Sequence, residues 1–276
     1  MQQWVVTSKR ADFKEIGSRF GIDQVTARII RNRDVVGEDA IEQYLHGTLT
    51  DLADAHRMKD AVQLVEILIR KMQEKKKIRI IGDYDIDGVC STCILYKGLS
   101  RVGAKVDYVI PERIKDGYGI NEHIIEKAAA DGIHMILTCD NGIAACAEIQ
   151  MAKEKGMTVI VTDHHEVTFD EQDGEKRYRI PPADAVMDPK QPDCLYPFKG
   201  LCGAAVAYKL MEALWESMGK DSADLDDLIE NVAIATIGDV MDLEDENRIF
   251  VKEGLQMLRR TKNPGLKALI ECTGID

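Results

Sequence analysis

Residues 78–88 read Ile78-Arg79-Ile80-Ile81-Gly82-Asp83-Tyr84-Asp85-Ile86-Asp87-Gly88. An isoleucine-rich run stops at a glycine, and three carboxylates follow at alternate positions. Runs of this length and branched composition form strands, and a helical pattern over residues 89–102 comes directly after. The unit then recurs. Residues 106–110, 135–138 and 158–162 are apolar runs, separated by helical patterns at 121–130 and 144–155, with glycines at Gly103, Gly132 and Gly156 marking where each helix ends. Strand, helix, glycine, strand is the grammar of a parallel sheet with crossover helices, so the spacing predicts a three-layer α/β domain. Residues 185–187 predict one more short strand.

The flanks read differently. Residues 38–46 and 59–74 are helical in pattern, the second with Ala61, Leu64, Val65, Ile67, Leu68 and Met72 at helical spacing. Residues 1–75 are therefore expected to form an N-terminal helical flank and 76–276 the α/β domain. Residues 169–182 are polar, with Asp173-Gly174 as a turn signal and Pro181-Pro182 at their end, which predicts an excursion or hairpin. Helical patterns return at 201–218, 223–237, 246–260 and 264–272.

Composition narrows the class. With 45% hydrophobic and 30% charged residues, 21 Gly and 7 Pro in 276 residues, disorder and collagen-like sequence are excluded. No apolar run approaches the ~18 residues of a membrane span, and residues 1–10 lack a secretory pattern; the expectation is a cytoplasmic protein without a membrane partner. The cysteines, Cys90, Cys93, Cys139, Cys146, Cys194, Cys202 and Cys272, are odd in number and scattered, which suits a reducing compartment. Cys90 and Cys93 form a lone C-x-x-C where a helix begins and read as small packing residues. The 48 acidic against 36 basic residues, a net charge of −12, exclude a protein that holds nucleic acid through bulk positive charge. They leave room for a local basic cleft or an acidic site filled by cations.

Ligands of open parallel sheets bind beyond the carboxyl ends of the strands. Three predicted strand ends carry chemistry there: Asp83, Asp85 and Asp87 after the first, Asp140-Asn141-Gly142 after residues 135–138, and Asp163-His164-His165 after residues 158–162. Singly, an Asp at a turn or helix start is commonly structural. Jointly, carboxylates gathered at one edge repel one another unless cations lie among them. Oxygen-rich ligation with an imidazole or two suits Mn²⁺ or Mg²⁺ better than thiolate-bound zinc, and a pair of such ions serves phosphoryl transfer.

These residues resemble the DHH phosphoesterase superfamily, whose signature triplet is Asp163-His164-His165 here. Within it the chain is similar to the RecJ branch of single-strand-specific 5′→3′ exonucleases. The similarity lies in residues 82–88, in Ile110-Pro111-Glu112-Arg113 leading to Gly117-Tyr118-Gly119, in Asp188-Pro189-Lys190-Gln191, in residues 196–204 and in Gly238-Asp239-Val240-Met241-Asp242-Leu243. The resemblance implies Asp85, Asp87, Asp140, His164 and Asp239 as ligands of two Mn²⁺ or Mg²⁺ ions. It implies His165 as general acid or phosphate contact, Asp163 as a residue behind the ligands that orients the strand end, and Arg113 as a phosphate clamp, with Asn141 and Tyr118 as substrate contacts; Tyr118 is open between stacking on a base and fixing its loop. Asp239 follows a helix carrying Leu228, Ile229, Val232, Ala233 and Thr236, for which Gly238 is the expected stop.

The activity implied is metal-dependent hydrolysis of single-stranded DNA to 5′ mononucleotides, in DNA repair and recombination. Single-stranded DNA is the implied partner, a single-strand-binding protein a further one, and the oligomeric state is open. Members of this branch continue into a second, substrate-binding domain and an oligonucleotide-binding domain; without them the chain reads as a truncated form with little processive activity expected. Three departures stand out. Ile81 occupies the place of a histidine common four positions before the first ligand aspartate, with Asp83 the candidate catalytic group that partly replaces it; Asp188 stands for an expected asparagine and Asp242 for a frequent proline. Two rivals follow: a phosphoesterase of oligoribonucleotides, cyclic dinucleotides or pyrophosphate, and a non-catalytic adaptor that retains the fold.

Overall fold

The computed structural model describes residues 9–172 and 174–274. They form two compact units that divide between Leu52 and Ala53. The first holds three short helices, α1 (Phe13–Phe20), α2 (Gln24–Asn32) and α3 (Glu38–His46). Asp12 and Asp23 start α1 and α2 by accepting two backbone N–H groups each, which satisfies donors that the first helical turn leaves free.

The second unit opens with α4 (Ala61–Gln73) and continues through β1 (Lys77–Ile81), α5 (Ile86–Arg101), β2 (Lys105–Val109), α6 (Glu122–Ala130), β3 (Met135–Cys139), α7 (Cys146–Glu154) and β4 (Thr158–Thr162). A polar hairpin, β5 (Phe169–Gln172) and β6 (Glu175–Tyr178), precedes β7 (Ala185–Met187), and α8 (Gly203–Ser217), α9 (Ile229–Gly238), α10 (Asp245–Leu258) and α11 (Pro264–Thr273) follow. Asp173 of the expected turn lies outside the described residues; the strands beside it pair antiparallel. The main sheet has the order β2-β1-β3-β4-β7 and is parallel throughout.

Both faces of this sheet are covered, as a parallel sheet requires. Side chains alternate between faces along each strand. Ile81, Ile136, Val159, Val161 and Val186 join Ile124, Ile125, Ala128, Ile149 and Ala152 of α6 and α7 in one apolar layer. Ile80, Leu137 and Ile160 point the other way and are fully buried, on the face contacted by α5 and α8. The buried charge of β1, Arg79, forms a fork with Asp107 of the edge strand β2, at 2.8 and 2.7 Å, and reaches Asp131 at 2.8 Å, so it is matched at the sheet's rim.

Two expectations shift. The helix over residues 59–74 packs as α4 on β7 and α8 of the second unit, and the pattern over 223–237 is a 3₁₀ stretch, Ser222–Leu228, followed by α9. Among the described residues no helix is long and apolar enough to cross a membrane, and the cysteines are all free.

Candidate metal centre

Register decides where the acids meet. Ile81 pairs with Thr138, Cys139 with Thr162, and Thr162 with Met187, so adjacent strands end level and release Gly82, Asp140, Asp163 and Asp188 side by side. Backbone bonds carry the alignment one residue further, Asp140 N–H to Thr162 O and Asp163 N–H to Met187 O, each 3.1 Å.

The first strand end turns into a helix at once. Asp85 caps α5, accepting from Gly88 N–H at 2.9 Å, and this puts Asp87 inside the first helical turn, where it points inward. Its two oxygens accept from Gly203 and Ala204 N–H, both at 2.7 Å. These are the first amides of α8, and a helix N-terminus favours a carboxylate. Gly203 is required there, because a Cβ would lie 2.8 Å from the Asp140 Cβ. Asp140 has φ 59, a left-handed turn that aspartate tolerates better than most residues, and it aims its carboxylate across the edge.

His164 is the hub. Its Nε2 lies 3.1 Å from Asp140, 3.5 Å from Asp87 and 3.7 Å from Asp239. Two sets of ligand atoms, Asp83/Asp85/Asp140 and Asp87/His164/Asp239, each fall within 4.8 Å, as does Asp140/His164/His165. Burial raises the Asp83, Asp87, Asp140 and Asp239 carboxyls above their ordinary value, and the charge of neighbouring acids adds to it in each case. Burial lowers His164, keeping it neutral and able to donate a lone pair. Asp140 Oδ2 and Asp83 Oδ2 are buried without any hydrogen-bond partner. Native proteins rarely leave such acceptors bare, and a hard divalent cation is the partner that suits several carboxylates and one imidazole. The residues present therefore fit such an ion.

Beside this cluster sits a second device. Asp163 is buried and accepts four bonds: from His164 N–H at 2.7 Å, His165 N–H at 3.2 Å, His165 Nδ1 at 2.7 Å and Ile143 N–H at 2.9 Å. Burial works against its charge, yet the bond to His165 and the amides hold it below the ordinary carboxylate value. The same bond raises the His165 imidazole. Tyr118 donates its hydroxyl to Asp140 O at 2.8 Å, and the same oxygen lies 3.3 Å from His165 Nε2. An aromatic series extends outward: Tyr118 stands edge-on to His165, Tyr84 edge-on to Tyr118, and the Arg113 guanidinium lies 5.3 Å from the centre of Tyr84.

The surroundings of other expected residues are as follows. Asn141, expected as a substrate contact, is buried and donates to Ile81 O and Cys139 O while accepting from Ile120 N–H, so its amide braces three chain segments. Ile81 belongs to the apolar layer, and Asp83 stands in the acidic group. Helix α9 does stop at Gly238, with Asp239 as its cap, but the left-handed residue that a stop glycine usually provides is Val240; Gly238 instead admits Ile86, whose Cγ2 would lie 2.4 Å from a Cβ. Two neighbours were not singled out in the sequence. Tyr84 was signalled by an aromatic between two strand-end acids. Lys190, paired with Glu166 at 3.1 Å, brings positive charge to His165 and Asp239 and follows a strand-end acid by two residues.

Asp188 gives a direct test of burial. It is fully buried, accepts from Lys190 N–H at 2.7 Å and leaves Oδ2 without a partner. Burial first, then the charge of Asp163, push its carboxyl up to about 8. A folded value above the unfolded one means stability is present in acid and is lost progressively as pH rises through 8. Asp188→Asn is expected to raise the melting temperature by several degrees near pH 8, roughly 2–4 °C for each kcal/mol regained, with the gain shrinking towards about pH 4. Superimposable melts at the higher pH would refute the effect.

Comparison with known proteins agrees with this geometry. The profile of the DHH family, N-terminal domain, matches residues 77–236. The chain is 38% identical over 263 residues to the single-stranded-DNA-specific exonuclease RecJ of Bacillus subtilis, covering 95% of this chain and 32% of that protein. It is 33% identical over 260 residues to the protein of that name from Escherichia coli, covering 90% and 43%. The chain thus spans well under half the length of these curated relatives. Among solved structures, RecJ of Thermus thermophilus in complex with Mn²⁺ superposes with TM-score 0.80 at 29% identity, covering 99% of this chain and 38% of that one. A manganese-bound exonuclease RecJ gives 0.69 at 33% identity, covering 79% and 53%. From the first residue of β1 into α9, stopping just short of Asp239, sequence and strand-end chemistry agree that the chain belongs to the DHH family.

Proposed function

We propose that this chain forms the metal-binding part of the active site of a single-strand-specific DNA exonuclease, hydrolysing terminal phosphodiesters from the 5′ end to 5′ mononucleotides. The reading rests on one juxtaposition: acid and histidine groups suited to divalent ions lie beside the charge-supported His165, in a chain whose curated relatives are named single-stranded-DNA-specific exonucleases. Asp85, Asp87, Asp140, His164 and Asp239, with Asp83, would hold Mn²⁺ or Mg²⁺, the ions named in the Thermus thermophilus complexes. Bound there, the ions would supply Lewis acidity to phosphate and to the attacking water.

The protein's own groups do the rest. Asp163 fixes the Nδ1 proton of His165 and orients the ring. His165 Nε2 then holds a proton at the open side of the cluster, where it can be given to the departing 3′ oxygen or can bond a phosphate oxygen. Arg113 suits the strand's phosphate because a guanidinium matches two of its oxygens, and Tyr84 and Tyr118 offer ring edges and faces beside it.

The test is a chimera in which this chain replaces the matched 263 residues of the Bacillus subtilis relative. Manganese-dependent release of mononucleotides from single strands, with duplex left intact, is expected, and Asp140→Asn should reduce it by ~10²-fold or more. A folded, manganese-binding chimera that ignores single-stranded DNA but cleaves cyclic dinucleotides or oligoribonucleotides would replace this reading with a small-substrate phosphoesterase. One that binds metal and cleaves neither would leave the adaptor.

A further inference from the structure

We infer that Val240 is a substrate-contacting residue, pressing its side chain on the sugar or base of the nucleotide whose phosphate lies at the Asp87/His164/Asp239 group. The inference rests on the exonuclease reading and deepens it. Helix α9 ends in a Schellman arrangement: Val240 N–H bonds Ile237 O at 3.2 Å and Met241 N–H bonds Thr236 O at 3.1 Å. The residue between these bonds must be left-handed, a place normally taken by glycine or asparagine. Here it is a valine with φ 58. A β-branched residue is strongly disfavoured in that region.

Strain of this kind is usually offset by packing, but Val240 is 86% exposed and gains almost none within the chain. An outlier without a structural return points to a role outside the fold. Its position supplies one. Asp239, one residue earlier, sets a carboxylate oxygen 3.7 Å from His164. Ile86, directly after the Asp85 cap, lies against Gly238 and is 44% exposed, while Ile237 is 46% exposed. Exposed apolar residues thus flank the acids: Ile86 stands between Asp85 and Asp87 and packs on Gly238, and Ile237 and Val240 lie within two residues of Asp239. A nucleotide held by its phosphate at those acids, through cations, brings a deoxyribose and a base face to these residues. Contact with them excludes water from the scissile bond and needs no base-specific hydrogen bond, which suits a strand read without regard to sequence.

The experiment compares Val240→Gly and Val240→Ile with the parent, each carried in the Bacillus subtilis chimera described above and held in manganese. Three quantities are read: melting temperature, its shift on adding manganese, and affinity for a short hydrolysis-resistant phosphorothioate single strand. Val240→Gly is expected to raise the melting temperature by a few degrees, because the left-handed cost is removed, and to leave the manganese shift unchanged. It should weaken strand binding about fivefold or more, the order expected for losing one apolar side-chain contact. Val240→Ile keeps a branched apolar group and should bind like the parent. A purely structural valine predicts the same gain in stability with strand affinity unchanged, and that result would overturn the inference, as would an isoleucine variant as weak as the glycine one. A parent chimera that binds manganese but no single strand would instead remove the exonuclease reading, and this contact with it.

Discussion

Replacing His165 by alanine is expected to slow cleavage in the chimera by ~10²-fold or more, the usual range for losing a positioned acid or base, while manganese affinity stays close to that of the parent. The expectation follows from the bonding of the ring. Asp163, anchored by three backbone amides, takes the Nδ1 proton at 2.7 Å. Tyr118 gives its own proton to Asp140 O, so its oxygen is free to accept from His165 Nε2–H at 3.3 Å. Both ring nitrogens thus face acceptors, an arrangement that favours the imidazolium and agrees with the raised value produced by the Asp163 bond. The side chain is 47% exposed, whereas that of His164 is 6% exposed. His164→Ala should accordingly weaken metal binding and cleavage together. If His165 were a metal ligand, as its place in the Asp140/His164/His165 group also permits, its alanine variant would lose manganese affinity as well. If it merely packed against the strand end, the variant would melt earlier with turnover per folded molecule unchanged. Metal affinity, melting temperature and single-turnover rate measured on both variants separate the three.

The parts of this site that were legible in the sequence are those that a strand end delivers by itself. Each strand is a short branched run, each following helix closes near a glycine, and the parallel sheet then brings Asp83, Asp140 and Asp163 to one edge whatever the details of packing. What local pattern does not contain is the long-range partner. The alternation Asp83, Asp85, Asp87 looks like one loop of equivalent acids, yet Asp85 is a helix cap and Asp87 is held by amides of α8, 116 and 117 residues away. Gly238 carries the ordinary mark of a helix stop, but it is a glycine because Ile86 packs on it, and the left-handed place falls to Val240. Asn141 next to Asp140 reads as a polar active-site residue; only the three-dimensional structure reveals that its amide ties Ile81, Cys139 and Ile120 together. Likewise the periodicity of α4 announces an apolar face without saying which unit will cover it.

Manganese is expected to raise the melting temperature of this chain, and by more as pH rises. Asp83, Asp87, Asp140 and Asp239 all have folded values above the ordinary 3.8, chiefly through burial and in part through one another's charge. A carboxyl raised in the folded state contributes stability below its unfolded value and loses it as pH climbs through the folded value. His165 has the same sign, since its raised value favours the fold while the ring is protonated. His164 has the opposite sign, because burial lowers it to about 4 and its contribution grows as pH rises towards 6.5. Without metal, the melting temperature should therefore fall most steeply between about pH 6.5 and pH 8, where His164 no longer opposes the carboxyls. Divalent ions bind the ionised carboxylates of the folded state and not the dispersed ones of the unfolded chain, so they stabilise by mass action, about 2.7 kcal/mol at a hundredfold excess over the dissociation constant. For a chain of this size that amounts to roughly 5–10 °C. The gain should be small near pH 5, where protons already occupy the acids, and largest near pH 8, flattening the metal-free decline. Asp140→Asn removes the oxygen that has no other partner and should both raise the metal-free melting temperature at alkaline pH and shrink the manganese shift. Melts in manganese and in chelator that coincide at pH 8 would show that these acids, however close, do not form a preformed cation site.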